Sequence, residues 1–310
     1  MFTLGIDTSN YATSLAVYDA TAKEVVCDKK RFLPVKPGQL GLRQSDALFH
    51  HTVALPELLS ELASEVDLSK IAAVGVSARP RPINGSYMPC FLAGINLAVA
   101  FGTAKNIPVL KSSHQQGHIA AALLATKQEA FFHEPCLVFH VSGGTTDLLL
   151  CNGYKEITCV GTSNDLYAGQ AVDRIGVKLG FQFPAGPTVS EFAAKCSEPM
   201  KPKVSISGTN CNLSGLENQC IRLLEQGKSA EYVCRYCLLY IAETAIKMIK
   251  IAQVQHPNLP IVFAGGVMSS DIIRQYVTQK LSNVYFAPAK FSSDNAIGIA
   301  RIAAEEAFNG

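Results

Sequence analysis

Two histidines, His114 and His118, stand four positions apart in the stretch Ser112-Ser113-His114-Gln115-Gln116-Gly117-His118. An apolar run, Ile107-Pro108-Val109-Leu110, precedes them and reads as a buried strand; Ile119-Ala120-Ala121-Ala122-Leu123-Leu124 follows and reads as a helix. Ser113 suits the N-cap of that helix, because its hydroxyl accepts from an unpaired first-turn N–H. Positions four apart share a helix face. The two imidazoles therefore point the same way, at a spacing that suits two ligands of one metal. A first-turn histidine pair with no metal is the plain alternative, and spacing alone leaves both open. A zinc peptidase is disfavoured, since its paired histidines need a glutamate directly after the first as general base. Gln115 occupies that position and cannot take a proton.

Other residues suit anion chemistry. Ser142-Gly143-Gly144-Thr145-Thr146-Asp147 sits between two strand-like runs. Paired glycines there let backbone N–H groups point together at an anion, although a Gly-Gly hairpin turn is common without one. Asp7-Thr8-Ser9-Asn10 forms a matching turn near the start of the chain, which favours the phosphate reading. Gly265-Gly266 ends a strand before a helix, as suits either close approach of a ligand or a tight connection. Arg79-Pro80-Arg81-Pro82 follows the strand 71–78, where an anion contact competes with a surface loop. Asp173 falls on a helix whose solvated face is its simplest setting.

The elements that must position these residues form a repeat. Strands at 2–8, 14–18 and 24–32 lead to a helix from His51 to Val66 with Leu55, Leu58, Leu59 and Leu62 on one face. Strand 71–78, helix 90–105, strand 107–111 and the histidine helix follow. The second half repeats the order: strands 136–141, 146–151 and 155–160, helix 170–179, a long helix 231–253, strand 261–264, helix 270–281, strand 284–287 and helix 295–308. An insert of about 181–228 interrupts it. Two copies of β-β-β-α-β-α-β-α imply two mixed-sheet α/β lobes with a cleft between them. The arrangement resembles the actin-like ATPase fold of sugar kinases, actin and heat-shock chaperones, in which each lobe offers a hairpin turn to the nucleotide's phosphates. The expected lobes are 1–112 and 113–310, with the final helix 295–308 open to packing on the first.

Asp294, in Ser292-Ser293-Asp294-Asn295, precedes that last helix and has the plain reading of an N-cap. It also follows the last strand of its lobe, as His114 does in the first lobe. Two histidines and one aspartate on opposing lobes make a three-ligand metal site with open positions.

Composition sets the remaining bounds. Of 310 residues, 48% are hydrophobic and 17% charged, enough for packed cores. A net charge of +2 does not predict nucleic-acid binding; the one basic run, Lys29-Lys30-Arg31, reads as a solvated strand end. Ten cysteines are scattered, and only Cys234 and Cys237 have C-x-x-C spacing. They sit inside a long helical pattern, where core packing is a better reading than zinc or redox chemistry. No signal peptide and no membrane-length apolar run is expected, which points to the cytoplasm.

In combination, these residues resemble the family that makes threonylcarbamoyl-adenosine in tRNA, called TsaD in bacteria and formerly O-sialoglycoprotein endopeptidase. The similarity spans nearly the whole chain. His114-x-x-Gly117-His118 resembles the family's metal histidines, and Phe291-Ser292-Ser293-Asp294-Asn295 its aspartate ligand segment. Ala168-Gly169-Gln170-Ala171-Val172-Asp173 and Pro184-Ala185-Gly186-Pro187 resemble the segments that hold the adenylate's ribose. Leu213-Ser214-Gly215-Leu216 and Ala264-Gly265-Gly266-Val267 match further family stretches. The resemblance implies zinc or iron at His114, His118 and Asp294. It implies an adenine nucleotide contacted by Asp7, Ser9, Ser142, Gly143, Gly144, Thr145, Asp173, Gly186, Gly265, Gly266 and Ser270. It implies transfer of threonylcarbamate from an adenylate to tRNA, with protein partners from the same pathway.

Departures from the family pattern are as definite. Asn10 and Tyr11 stand where it has an acidic pair, Thr145 where it has histidine, and Ser270 where it has asparagine. Arg79-Pro80-Arg81-Pro82-Ile83 replaces a glycine-rich loop, which makes Arg79 and Arg81 candidate anion contacts. The pattern is that of a divergent paralog. A catalytically silent nucleotide-binding subunit and an actin-fold phosphotransferase are the alternatives; ATP hydrolysis without need of the histidine metal would favour the latter.

Overall fold

Phe2–Thr8 (β1) is buried on both faces, with Leu4 and Ile6 on one and Thr3, Gly5 and Asp7 on the other. A strand of that kind needs helices above and below it. It pairs antiparallel with β2 (Ala12–Asp19), which pairs with β3 (Glu24–Phe32). The computed structural model describes residues 1–9, 11–34, 42–292 and 296–309. After β3 come α1 (Gln44–Ala63), β4 (Ile71–Arg79), α2 (Phe91–Lys105), β5 (Val109–Ser113) and α3 (His114–Ala125). Strands β4 and β5 add in parallel, and the sheet order is β3-β2-β1-β4-β5.

The second sheet opens with β6 (Pro135–Val141), β7 (Thr146–Asn152) and β8 (Glu156–Thr162), followed by α4 (Ala168–Lys178). The insert folds as α5 (Gly186–Ala194), the short hairpin β9 (Ser205–Ser207) and β10 (Asn210–Asn212), and α6 (Ser214–Glu225). Then come α7 (Ala230–Gln255), β11 (Ile261–Ala264), a 3-10 turn at Gly266–Ser269, α8 (Asp271–Thr278), β12 (Val284–Phe286), α9 (Ala289–Ser292) and α10 (Ile297–Phe308). Its order, β12-β11-β6-β7-β8, is that of the first sheet with each strand replaced by its counterpart.

The chain forms two compact units: Met1–Phe132 together with Ser293–Gly310, and His133–Ser292. The boundary lies at 132/133 and not at 112/113, so the histidine helix belongs to the first unit. Helix packing is the reason. A Cβ on Gly298 of α10 would lie 1.9 Å from the Gly117 carbonyl oxygen, and one on Gly117 2.7 Å from Ile299 Cδ1. Glycine at 298 thus lets α10 cross α3 in backbone contact, and the glycine between the two histidines leaves room for the Ile299 side chain. Gly5 and Gly75 do the same for α10 on the sheet, where added Cβ atoms would meet the Ala296 and Ile299 carbonyl oxygens at 2.3 and 2.6 Å. Arg301 anchors α10 from beneath, ion-paired at 2.6 Å with Glu305 and at 2.5 Å with Glu129, its guanidinium over the Phe132 ring.

Helix α1 starts at Gln44, ahead of the apolar stripe that marks it in the sequence. Its Glu57 and Glu61 pair with Arg31 on β3, and Glu65, just past its C-terminal end, pairs with Lys29, so most of the basic run is spent on this neighbouring element. In the second unit α7 runs through the core, and Cys234 and Cys237 are fully buried. All ten cysteines are free thiols, and burial pushes that of Cys234 up to about 12. No helix among the described residues is long and apolar enough to cross a membrane.

Candidate functional site

In the first unit, Ser113 ends β5 and caps α3 in one residue. Its Oγ accepts from the Gln116 N–H at 3.2 Å, and Gln116 Oε1 accepts from the Ser113 N–H at 2.9 Å. This capping box fixes where the helix begins, and so fixes His114 and His118 on one face. Their Nε2 atoms approach to 3.0 Å, with ring centroids 4.4 Å apart and planes at 77°. Two nitrogens each about 2.0–2.1 Å from a tetrahedral zinc lie about 3.3 Å apart. The pair is within a few tenths of an ångström of that separation with no rearrangement.

Behind the pair lies Asp7, fully buried at the end of β1. Its Oδ1 is 2.9 Å from His114 Nδ1, and its Oδ2 is buried with no hydrogen-bond partner. A carboxylate oxygen only accepts, so Nδ1 carries the proton and Nε2 keeps its lone pair for a ligand. A divalent cation beyond the ring would balance the buried carboxylate; the donor set fits a transition metal. Asp294 lies outside the described residues. Among those described, no other carboxylate, thiol or imidazole completes a three-ligand group with the two Nε2 atoms.

The first hairpin is held from two sides. Thr8 Oγ1 accepts from the Gly94 N–H of α2 at 3.3 Å. His51 of α1, fully buried, donates from Nε2 to the Ser9 carbonyl at 2.7 Å, and its Nδ1 accepts from Thr13 Oγ1 at 2.7 Å. Burial pushes the His51 pKa down, against the pull of the Ser9 carbonyl and Asp7. Asn10 is outside the described residues, and Tyr11 is exposed. The loop after β4 is tied to the same helix start: Arg79 registers with Ser113, and Pro80 O accepts from the Gln115 N–H at 3.0 Å. Arg79 and Arg81 are both exposed.

In the second unit the Ser142–Thr145 turn is closed by its own hydroxyls. Ser142 Oγ lies 2.9 Å from Thr145 Oγ1 and accepts from the Gly144 N–H at 3.2 Å. The first turn of α4 sits on it, because a Cβ on Gly169 would be 2.6 Å from the Ser142 carbonyl oxygen. Gly143 and Gly144 are exposed, have no positive φ, and a Cβ on either would meet nothing within 4 Å. Glycine there answers no need of the protein's own packing. The same holds at Gly186, Gly215 and Gly266, each at the start of a helix or helical turn. A helix start left bare in this way offers backbone N–H groups that suit an anion. Gly265 differs: its φ is +96° and a Cβ would lie 2.0 Å from the Val141 carbonyl oxygen, so a tight connection onto β6 requires it.

Asp173 is half-buried, not on a solvated face. Its Oδ1 accepts from the Ala185 N–H at 2.8 Å at the start of α5; burial pushes its pKa up, against the pull of the Ala185 and Gly186 N–H groups. Ser270 Oγ contacts Ser190 Oγ at 2.8 Å. Sequence reasoning missed Asp165, which accepts from the N–H groups of Leu166, Leu213 and Ser214 and from Ser214 Oγ at 2.5 Å. Burial pushes its pKa up, but these bonds more than offset it and hold the carboxyl below the usual range. Asp7 as the partner of His114, and His51 as the clamp on the first hairpin, were also missed. No short-range signal joins residues so far apart in the chain.

Two sheets of matching order, each opened by a hairpin and backed by helices, define a protein of the actin-like ATPase fold. Among solved structures the chain resembles the activator of 2-hydroxyisocaproyl-CoA dehydratase from Clostridium difficile, with a TM-score of 0.56 and 14% identity, covering 100% of this chain and 96% of that one. It also resembles HypF from T. kodakarensis, with a TM-score of 0.61 and 12% identity, over 97% of this chain and 46% of the other. These likenesses show the fold alone. Within that fold the sequence is more specific. The TsaD family model, tRNA N6-adenosine threonylcarbamoyltransferase, matches residues 37–301, and the chain belongs to this family. Relatives bearing that name include the Thermotoga neapolitana protein, 28% identical over 325 residues, spanning 100% of this chain and 95% of its own length. Another is from Methanopyrus kandleri, 26% identical over 310 residues, spanning 97% and 86%.

Proposed function

We propose that this chain transfers a threonylcarbamoyl group from an adenylate to the anticodon-adjacent adenosine of tRNA, or a closely related carbamoyl or acyl group as a divergent member of its family. The observation that carries the reading is the approach of His114 and His118 Nε2 to 3.0 Å. With Asp294 as the proposed third ligand they would hold one zinc or iron ion. A metal bound there supplies a Lewis acid for a carbonyl or phosphoryl oxygen. The residues of this chain do the rest. Gly143, Gly144, Gly186 and Gly266 offer bare backbone to an adenine nucleotide, and the N–H groups that face it stabilise phosphate charge. Asp173, held by the Ala185 N–H, is the proposed acceptor for ribose hydroxyls. Ser9, Ser142, Thr145, Gly265 and Ser270 shape the surrounding backbone, and Arg79 and Arg81 add positive charge near the start of α3.

A catalytically silent subunit, binding nucleotide and pathway proteins, is the second reading. It is favoured by Asn10, Tyr11 and Thr145 standing where the family pattern has ionisable groups. One experiment separates them: mass spectrometry of tRNA nucleosides from a strain that lacks its standard enzyme and carries this chain. Threonylcarbamoyl-adenosine restored by the wild type and not by His114→Ala supports transfer. No restoration, with nucleotide binding intact in the purified protein, supports the silent subunit or a different acyl group.

A further inference from the structure

The geometry points to Asp7 as a positioning residue that sets which nitrogen of His114 is offered to a metal. This rests on the metal reading above. Three observations carry it. The Asp7 side chain is fully buried, and its one hydrogen-bond partner is His114 Nδ1, at 2.9 Å. Its other oxygen is buried without a donor. A buried carboxylate with one oxygen unsatisfied is costly to keep, and nothing in the packing of β1 requires it. An apolar residue would serve a buried strand end better, as Leu4 and Ile6 do on the other face of the same strand.

The consequence is at the far side of the ring. Because Asp7 accepts, His114 is held as the Nδ1–H tautomer, and its Nε2 lone pair faces His118 Nε2 at 3.0 Å. The carboxylate also raises the donor strength of that nitrogen, and partners of this kind change metal affinity by about 10–100-fold. Asp7→Asn tests this without changing the side chain's size. If the amide nitrogen turns to His114 it donates to Nδ1, drives the proton to Nε2 and blocks it as a ligand. If the amide oxygen faces Nδ1 the tautomer survives, but the charge is lost and an N–H is left unpaired where Oδ2 lies.

The experiment measures Zn2+ alone, by competition with a chromophoric chelator, on the full chain and on Asp7→Asn. The expected result is zinc affinity about 10–100-fold weaker in the variant. Histidine 15N chemical shifts of the metal-free wild type give a second readout that does not depend on the variant folding. They are expected to show His114 protonated at Nδ1 and bare at Nε2, with Nε2 shifting when zinc is added. Equal zinc affinity in both proteins, or a proton found on His114 Nε2, would overturn the role of Asp7 and leave the metal reading standing. A wild type that binds no zinc or iron would overturn both.

Discussion

Replacing Gly298 by alanine puts a methyl group into the crossing of α3 and α10. Its Cβ would lie 1.9 Å from Gly117 O and 2.7 Å from Ala121 N, both backbone atoms that no rotamer change can move. Relief requires α10 to retreat by roughly an ångström, the kind of backbone shift that overpacking imposes. That retreat also lifts α10 off Gly5 and Gly75, where it rests on β1 and β4 at similarly short range. The cost belongs at the upper end for overpacked cores, about 3 kcal/mol. In a unit of this size that lowers the unfolding midpoint by roughly 6–12 °C. Gly144→Ala is the control, because its Cβ meets nothing within 4 Å; it should change stability by no more than about 0.5 kcal/mol. Calorimetric scans of the three metal-free proteins decide it. Equal midpoints for Gly298→Ala and Gly144→Ala would refute the claim that glycine is there to let the two helices touch.

Gly144→Asp should weaken ATP or AMP binding by about 1–4 kcal/mol through charge repulsion, while Gly144→Ala leaves it intact; isothermal calorimetry in which both bind like wild type would return the turn to a plain hairpin. Metal analysis of purified protein should find one transition metal per chain, lost in His114→Ala, and equal negligible metal in both would remove the site. Arg79→Ala and Arg81→Ala should each weaken an anionic ligand by roughly 1.5–3 kcal/mol for each charged hydrogen bond lost; unchanged affinity in the double variant would make the loop a surface feature. Asp165 has a carboxyl held below the usual range, so it stabilises the fold above its unfolded pKa, and that benefit is lost as pH falls through its folded value. Thermal melts should show Asp165→Asn less stable than wild type by a constant margin above about pH 5, with the gap closing toward more acid pH; a gap that widens on acidification would contradict the cause given for the shift.

Much of this molecule is local, and local features are legible in a string of residues. The β-β-β-α-β-α-β-α repeat follows from hydrophobic period and turn residues, because burial of one face leaves its mark within a few positions. Ser113 as a cap and the shared face of His114 and His118 follow from helix geometry alone. What lay outside that reach depends on residues distant in the chain and close in space. Asp7 meets His114 across 107 positions, and His51 meets Ser9 across 42; neither pair has a period or spacing that could announce it. Gly117 sits between two candidate ligands and invites a chemical explanation, yet what lies against it is the Ile299 side chain of α10. Gly265 and Gly266 are adjacent and identical in type, yet one is forced by Val141 and a positive φ while the other faces open space. The boundary of the first unit moved for the same reason: α3 goes with whatever it packs against, and that partner is the last helix of the chain. Close packing is a property of surfaces brought together by the whole fold, so it decides between readings that composition and spacing leave equal.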